Sequence, residues 1–181
     1  MGRLIFFTGG ARSGKSRLAE AHASRFEPVV YIATAQAFDV EMTQRIIRHK
    51  NNRPKHWTTL EEALNLQSVA AAAINLKPRA ILLDCITLWL SNRMLHDWTN
   101  GWSERQEQNV LSELRCAAEC FRAVCNELDT IIVSNEVGSG IVPENEMSRA
   151  FRDLSGRANQ FLGSVSDEAY LVAAGLPLKL K

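Results

Sequence analysis

The chain has 181 residues, of which 46% are hydrophobic and 23% charged, with a formal net charge of +1. That length suits one domain, residues 1–181, with one sizeable core, and the composition is that of an ordinary globular protein. A near-neutral chain offers no electrostatic attraction to nucleic acid or to an anionic membrane. The opening apolar run, Leu4–Phe7, is too short for a signal peptide or a spanning helix. Gly2 is where a myristoylated chain would carry its acyl group, but Phe6 stands where that motif needs Ser or Thr. A cytoplasmic protein with no membrane span is therefore expected. Cys85, Cys116, Cys120 and Cys125 form no Cys-x-x-Cys pair and read as small buried hydrophobes in a reducing compartment.

In chain order, the first expected strand is Leu4–Phe7. It runs into Gly9-Gly10-Ala11-Arg12-Ser13-Gly14-Lys15-Ser16, which matches G-x-x-x-x-G-K-[ST] and opens a helix at Arg17-Leu18-Ala19-Glu20. Glycines let backbone N–H groups turn inward around a phosphate, and the helix that follows points its positive end at the anion. Lys15 is placed to reach the β/γ oxygens and Ser16 to ligate Mg²⁺.

The second strand is Val29–Ala33, followed by Thr34-Ala35-Gln36. Next, Glu41, Arg45 and His49 recur every four residues on one helical face, with Met42 and Ile46 beside them to bury the helix. Pro54 stops that helix before Arg53. His49 then stands near the helix end beside Arg48, Lys50 and Arg53. Spacing alone leaves two readings open: a solvated face with an exposed histidine, or an imidazole nucleophile for phosphorus with cations to hold phosphates.

The strand Ala80–Asp84 ends an apolar run on an acid, the pattern of a carboxylate that holds Mg²⁺, directly or through water. His96–Glu104 is the expected long loop. A helix follows with Val110, Leu114, Ala117, Phe121, Val124 and Leu128 on one face, then the strand Thr130–Ser134. The loop Asn135–Glu144, with two glycines and a proline around an acid, reads either as a shaped site loop or as an ordinary turn. Another helix carries Met147, Phe151, Leu154, Ala158, Phe161 and Val165. Strands at Ala169–Ala173 and Leu178–Leu180, split by Gly175-Leu176-Pro177, allow only an antiparallel return.

Continuously apolar strands alternating with amphipathic helices predict an α/β fold, a three-layer P-loop NTPase with a mostly parallel sheet and a C-terminal antiparallel hairpin strand. If the sheet is parallel, Gly9–Ser16, Thr34–Gln36, Asp84 and Asn135-Glu136 all line its carboxyl edge, where such sheets bind ligands. This convergence carries more weight than any one segment.

The segments together resemble the bifunctional adenosylcobinamide kinase / adenosylcobinamide-phosphate guanylyltransferases of cobalamin biosynthesis, nearly end to end. The residues that carry the resemblance are Thr8–Ser16, Tyr31-Ile32-Ala33-Thr34, Met42-x-x-Arg45-Ile46-x-x-His49-x-x-x-Arg53-Pro54, Leu82–Asn92 and Ser134-Asn135-Glu136-Val137-Gly138-x-Gly140-Ile141-Val142-Pro143. Phe151-Arg152-Asp153-x-x-Gly156-x-x-Asn159-Gln160 and Leu171-Val172-x-x-Gly175 continue it. The P-loop alone is generic; the first, third and fifth segments in this order are specific.

The resemblance implies a RecA-like sheet, a homotrimer and two reactions. One is phosphorylation of adenosylcobinamide by GTP or ATP. The other is transfer of GMP from GTP to adenosylcobinamide phosphate through a GMP-histidine at His49. It also implies nucleotide contacts at Gly9, Gly10, Ala11, Arg12, Ser13, Gly14, Lys15, Ser16, Thr34, Ala35, Gln36, Asn51, Asn52, Arg53, Pro54, Glu62 and Asp84. Catalysis would fall to His49 and Lys15, and Mg²⁺ to Ser16 and Asp84. Residues Arg93–Gln108 resemble the family least, and Trp98 and Trp102 there read as core packing in preference to subunit or corrinoid contacts. A plain P-loop kinase with His49 as a surface residue, a regulatory nucleotide-binding module and a nucleic-acid motor are the competing readings. No Asn-Lys-x-Asp motif supports a GTPase switch, and the near-neutral charge opposes a motor.

Overall fold

The computed structural model describes residues 2–181. Seven strands form one sheet: β1 (Leu4–Gly9), β2 (Val29–Ala33), β3 (Thr58–Glu61), β4 (Ala80–Asp84), β5 (Asp129–Val133), β6 (Glu168–Ala173) and β7 (Leu176–Lys179). Between them lie α1 (Lys15–Ala23), α2 (Val40–Asn52), α3 (Leu66–Asn75), α4 (Ile86–Asp97), α5 (Glu104–Val124) and α6 (Glu146–Val165). The spatial order is β3-β2-β4-β5-β1-β6-β7, parallel except for the β6–β7 pair. The mostly parallel α/β sheet with a terminal hairpin is thus as expected.

The central strands are apolar on both sides because both faces are covered. Leu4, Phe6, Val30, Ile32, Ile81, Leu83 and Ile132 point into a large core with Trp89 and Leu90 of α4, Leu114 and Phe121 of α5, and Leu154 and Leu162 of α6. The alternate residues Ile5, Phe7, Val29, Tyr31, Leu82, Ile131 and Val133 face Ala19 and Ala23 of α1, together with Trp57. This alternation is the period-two geometry of a strand seen in a three-layer packing. The helix starts are specified locally. Ser103 and Gln106 form a capping box at α5, Asn145 caps α6, and the Asp39 side chain accepts from Met42 N at the start of α2.

Four sequence expectations change. Thr58–Glu61 is a strand, paired in parallel with β2 at the sheet edge. The hairpin turn is Ala174-Gly175, both at positive φ (51° and 80°), so Leu176 and Pro177 belong to β7 and not to the connection. A two-residue turn with both φ positive matches the twist of the strands it joins, and Pro177 is tolerated because β7 is an edge. The long loop is shorter than His96–Glu104: α4 runs through Asp97 and α5 begins at Glu104. In α6 Leu162 joins Leu154 and Ala158 as fully buried, while Phe161 is only partly buried under Arg115. Trp98 and Trp102 stack with ring centres 6.4 Å apart and pack against the main core.

Candidate active site

The P-loop is a bend held from both sides. β1 delivers Gly9 to the sheet edge, where its Cβ position lies 2.3 Å from the Val172 carbonyl oxygen, so only glycine fits. Gly14, at φ 97°, turns the chain into α1. Gly175 N donates to Ser13 O (2.8 Å) and Glu136 N to Gly9 O (2.9 Å), which ties the loop to the β6–β7 turn and to the segment after β5. Gly10, Ala11 and Arg12 are exposed, and Ser13 Oγ is buried without a hydrogen-bond partner. A wrapped, partly unsatisfied polar bend at a helix N-terminus is a phosphate cradle.

Lys15 is buried, and its ammonium donates to Gly10 O at 3.0 Å. Burial lowers its affinity for the proton from the ordinary lysine value, while Cys85 and Asp84 oppose that and Arg45 adds to it. The ammonium is thus folded back over its own loop, within reach of the anion that the loop would hold. Register brings the metal-type carboxylate to the same edge: Asp84 is level with Ala33 on one side and Val133 on the other, and Val133 with Phe7.

Behind Asp84 the chain is fixed by Thr34. Its hydroxyl donates to Cys85 O (2.7 Å) and accepts from Cys85 N (3.0 Å), while Asn92 Nδ2 donates to Thr34 O (2.7 Å). Thr34 is fully buried. Its side chain therefore works on the β4–α4 turn. Cys85 also lines the cleft, but burial and then the neighbouring Asp84 push its thiol up to about 12, so it stays protonated and is no nucleophile.

The arrangement of α2 is the finding that sequence could not give. Lys15, Ser16, Asp84, Arg45, His49, Arg53 and Asn135 line one cleft of about 130 Å³. Arg45 and His49 are exposed residues of α2, and Met42 and Ile46, the half-buried positions of that helix, face the same cleft. No described residue from 40 to 51 is fully buried, so α2 rides over the sheet edge instead of packing into it. A cleft of this size is below the roughly 300 Å³ at which small-ligand pockets begin. The enclosed part of the cleft is of a size for phosphate groups, and it opens to solvent.

The remaining expected contacts divide. Ala35 lines the cleft, Gln36 is half-buried close by, and Asn51 is exposed on the last turn of α2. The side chain of Asn52 lies outside the described residues. Pro54 O accepts from Trp57 N (3.1 Å) in the turn that leads to β3. Arg53 is buried and stacks 3.5 Å over the Tyr31 ring. One oxygen of Glu62, Oε1, accepts from Leu64 N (2.8 Å) and Asn65 N (3.0 Å) before α3. Glu61 is the acid that reaches the cleft, paired with Lys50.

After β5, Asn135 N donates to Thr87 Oγ1 and Asn159 Nδ2 to Asn135 O (2.9 Å), so α4 and α6 shape the start of that loop. Its tip is solvated, with Ile141 96% exposed.

The donor set suits Mg²⁺. Ser16 and Asp84 offer hard oxygens in one cleft, and one Asp84 oxygen, Oδ2, is taken by the Tyr31 hydroxyl at 3.1 Å. Among the described residues no group of three or more His, Cys, Asp and Glu could hold a metal alone. That is the usual case for Mg²⁺ at phosphates, where one or two protein oxygens share the ion with the substrate and water.

The fold is similar to that of an ATPase from the type III secretion system of pathogenic bacteria, with a TM-score of 0.62 at 11% identity. The match covers 99% of this chain and 57% of that one, a likeness of fold alone. The chain is 40% identical over 185 residues to the bifunctional adenosylcobalamin biosynthesis protein CobU of Escherichia coli (strain K12), covering 98% of this chain and 99% of that one. It is 42% identical over 187 residues to its namesake in Salmonella typhimurium, at 98% and 99% coverage. To the bifunctional adenosylcobalamin biosynthesis protein CobP of Pseudomonas aeruginosa it is 42% identical over 174 residues, at 96% and 94% coverage. The family model described as cobinamide kinase / cobinamide phosphate guanyltransferase matches residues 5–180. The chain belongs to the cobinamide kinase / cobinamide phosphate guanyltransferase family.

Proposed function

We propose that this chain carries both reactions of its family in one domain: phosphorylation of adenosylcobinamide by GTP or ATP, then guanylyl transfer from GTP to the resulting phosphate through a GMP-His49 intermediate. The observation that carries this reading is the shared cleft, in which His49 stands with Lys15, Ser16 and Asp84.

In the first step the P-loop N–H groups and Lys15 hold the β- and γ-phosphates, and the acceptor hydroxyl displaces the nucleoside diphosphate at the γ-phosphorus. In the second, an imidazole nitrogen of His49 attacks the α-phosphorus of GTP and pyrophosphate leaves with the electron pair of the broken P–O bond. A phosphate oxygen of the acceptor then attacks the same phosphorus, and the P–N bond breaks to return His49 and give adenosyl-GDP-cobinamide. Mg²⁺, held by Ser16 and Asp84 with the phosphates, would neutralise developing charge in either step. Arg45 and Arg53 add positive charge on the α2 side. α2, none of whose described residues from 40 to 51 is fully buried, shifts outward to admit GTP and returns with His49.

A homotrimer and a cytoplasmic location complete the proposal. Among the described residues no helix is long and apolar enough to cross a membrane. The direct test is covalent labelling by GTP carrying a label at the α-phosphorus, with His49→Ala beside wild type. A plain P-loop kinase would transfer the γ-phosphate and take up no label.

A further inference from the structure

One side chain lies between the metal carboxylate and the histidine helix. Tyr31 is buried in β2, two residues before the sheet edge, and its hydroxyl donates to Asp84 Oδ2 at 3.1 Å. The upper face of the same ring carries the Arg53 guanidinium at 3.5 Å. Arg53 is the residue at which α2 ends, with extended backbone (φ −73°, ψ 143°). Its Nη1 donates to Thr59 Oγ1 of β3 at 2.9 Å, while its Nε is buried without a partner. Trp57 packs at 6.4 Å from the Tyr31 ring and closes the pocket from the side. A guanidinium over an aromatic face is attracted by the ring quadrupole, most strongly where water is excluded. Arg53 is 9% exposed, so this contact is a dry one.

We propose that Tyr31 is a positioning residue with two faces: its hydroxyl fixes one oxygen of Asp84 so that the other is presented to the metal, and its ring seats Arg53 and with it the end of the helix that carries His49. The inference rests on the proposed roles of Asp84 and His49, and it assigns a function to a residue that lines their shared cleft. Tyr31 can act in this way because both of its contacts are on rigid ground. β2 and β4 are paired through Val29↔Ala80 to Ala33↔Asp84, so the hydroxyl and the carboxylate cannot drift apart along the strands. The ring edge is fixed by the core, and the stacked Arg53 is four residues beyond His49, about one helical turn. Partners that orient a metal ligand contribute to affinity nearly as the ligand does, and their loss costs tenfold or more.

Two variants separate the two faces. Tyr31→Phe removes the hydroxyl and keeps the ring; Tyr31→Leu removes both, and its folding is checked by circular dichroism. Metal binding is read by electron paramagnetic resonance, titrating Mn²⁺ into protein bound to GTP whose α,β-bridging oxygen is replaced by CH₂, which cannot donate GMP. Guanylylation is read as the rate of covalent label from α-labelled GTP across a Mg²⁺ series. For Tyr31→Phe the expected result is about tenfold weaker Mn²⁺ binding and a matching rise in the Mg²⁺ midpoint, with the loss in the midpoint and not mainly in the plateau. For Tyr31→Leu the plateau falls as well, by about tenfold or more. Wild-type Mn²⁺ affinity in a folded Tyr31→Phe overturns the hydroxyl's role, and a wild-type plateau in Tyr31→Leu overturns the ring's. If wild type takes no label, the His49 reading fails by itself, while the Mn²⁺ titration still decides whether Tyr31 orients Asp84.

Discussion

Replacing Thr34 by Val tests what holds the metal carboxylate in place. The two side chains are nearly equal in shape, so the change removes a hydroxyl without opening a cavity. That hydroxyl donates to the Cys85 carbonyl at 2.7 Å, which also accepts from Trp89 N at 3.3 Å, and it accepts from the Cys85 N–H at 3.0 Å. Thr34 is 0% exposed and Cys85 6%. Water therefore has little access to replace it. Valine leaves the Cys85 N–H without a partner, and an orphaned buried backbone group costs about 1–3 kcal/mol. For a chain of this size, each kcal/mol moves Tm by about 2–4 °C, which gives a fall of about 2–12 °C.

The assay is thermal unfolding by circular dichroism without nucleotide or metal, with GTP affinity measured alongside. A Tm within about 1 °C of wild type, with GTP binding lost, would refute the reasoning and make Thr34 a direct nucleotide contact.

The other predictions concern the loop, the lysine and the far end of the sheet. Gly9→Ala places a Cβ 2.3 Å from the Val172 carbonyl oxygen and 2.9 Å from Ser13 Oγ. Separating β1 from β6 should cost about 2–4 kcal/mol and abolish nucleotide binding, read by the denaturant midpoint and by equilibrium dialysis with GTP. Lys15→Met should lower both phosphoryl and guanylyl transfer by about 10²-fold or more, whereas His49→Asn should remove only the guanylyl step; steady-state assays of each step check the split.

His22 donates or accepts at Asp129 Oδ2, 3.0 Å away, at the opposite end of the strands. Burial holds its imidazole below the ordinary histidine range, against the opposing bond to Asp129. The unfolded state then takes up the proton first as pH falls, so this stability is present above pH 6.5 and declines below it. His22→Asn should flatten that part of the stability profile in urea titrations run from pH 7 downwards.

What the sequence made legible follows from which signals are local. The P-loop is a spacing with one physical purpose, and four of the central strands are continuously apolar because helices cover both faces. β3 was hidden because Thr58-Thr59-Leu60-Glu61 is short, half polar and at an edge, where only one neighbour stabilises it. The hairpin turn was displaced because Pro177 reads as a breaker, while at the outer edge of the sheet its missing N–H costs nothing.

In the site, Lys15, Ser16 and Asp84 were legible because they end strands or open a helix. Spacing put Arg45 and His49 on one face of a helix, and only the tertiary arrangement turns that face toward the P-loop. Thr34 and Glu62 are expected at the nucleotide by resemblance, and their side chains also bond the backbone at Cys85 and at Leu64 and Asn65. A polar residue after a strand serves a turn or a ligand with the same local pattern. The Arg53–Tyr31–Asp84 chain was invisible for a related reason: it joins three elements far apart in sequence.

The central claim is that His49 carries GMP. It is tested most directly by incubating wild type and His49→Ala with Mg²⁺ and α-labelled GTP, denaturing, and counting covalent label. The account predicts an acid-labile, alkali-stable label in wild type that is missing in the variant. A folded, GTP-binding wild type that takes up no label, or a variant that labels equally, would contradict it.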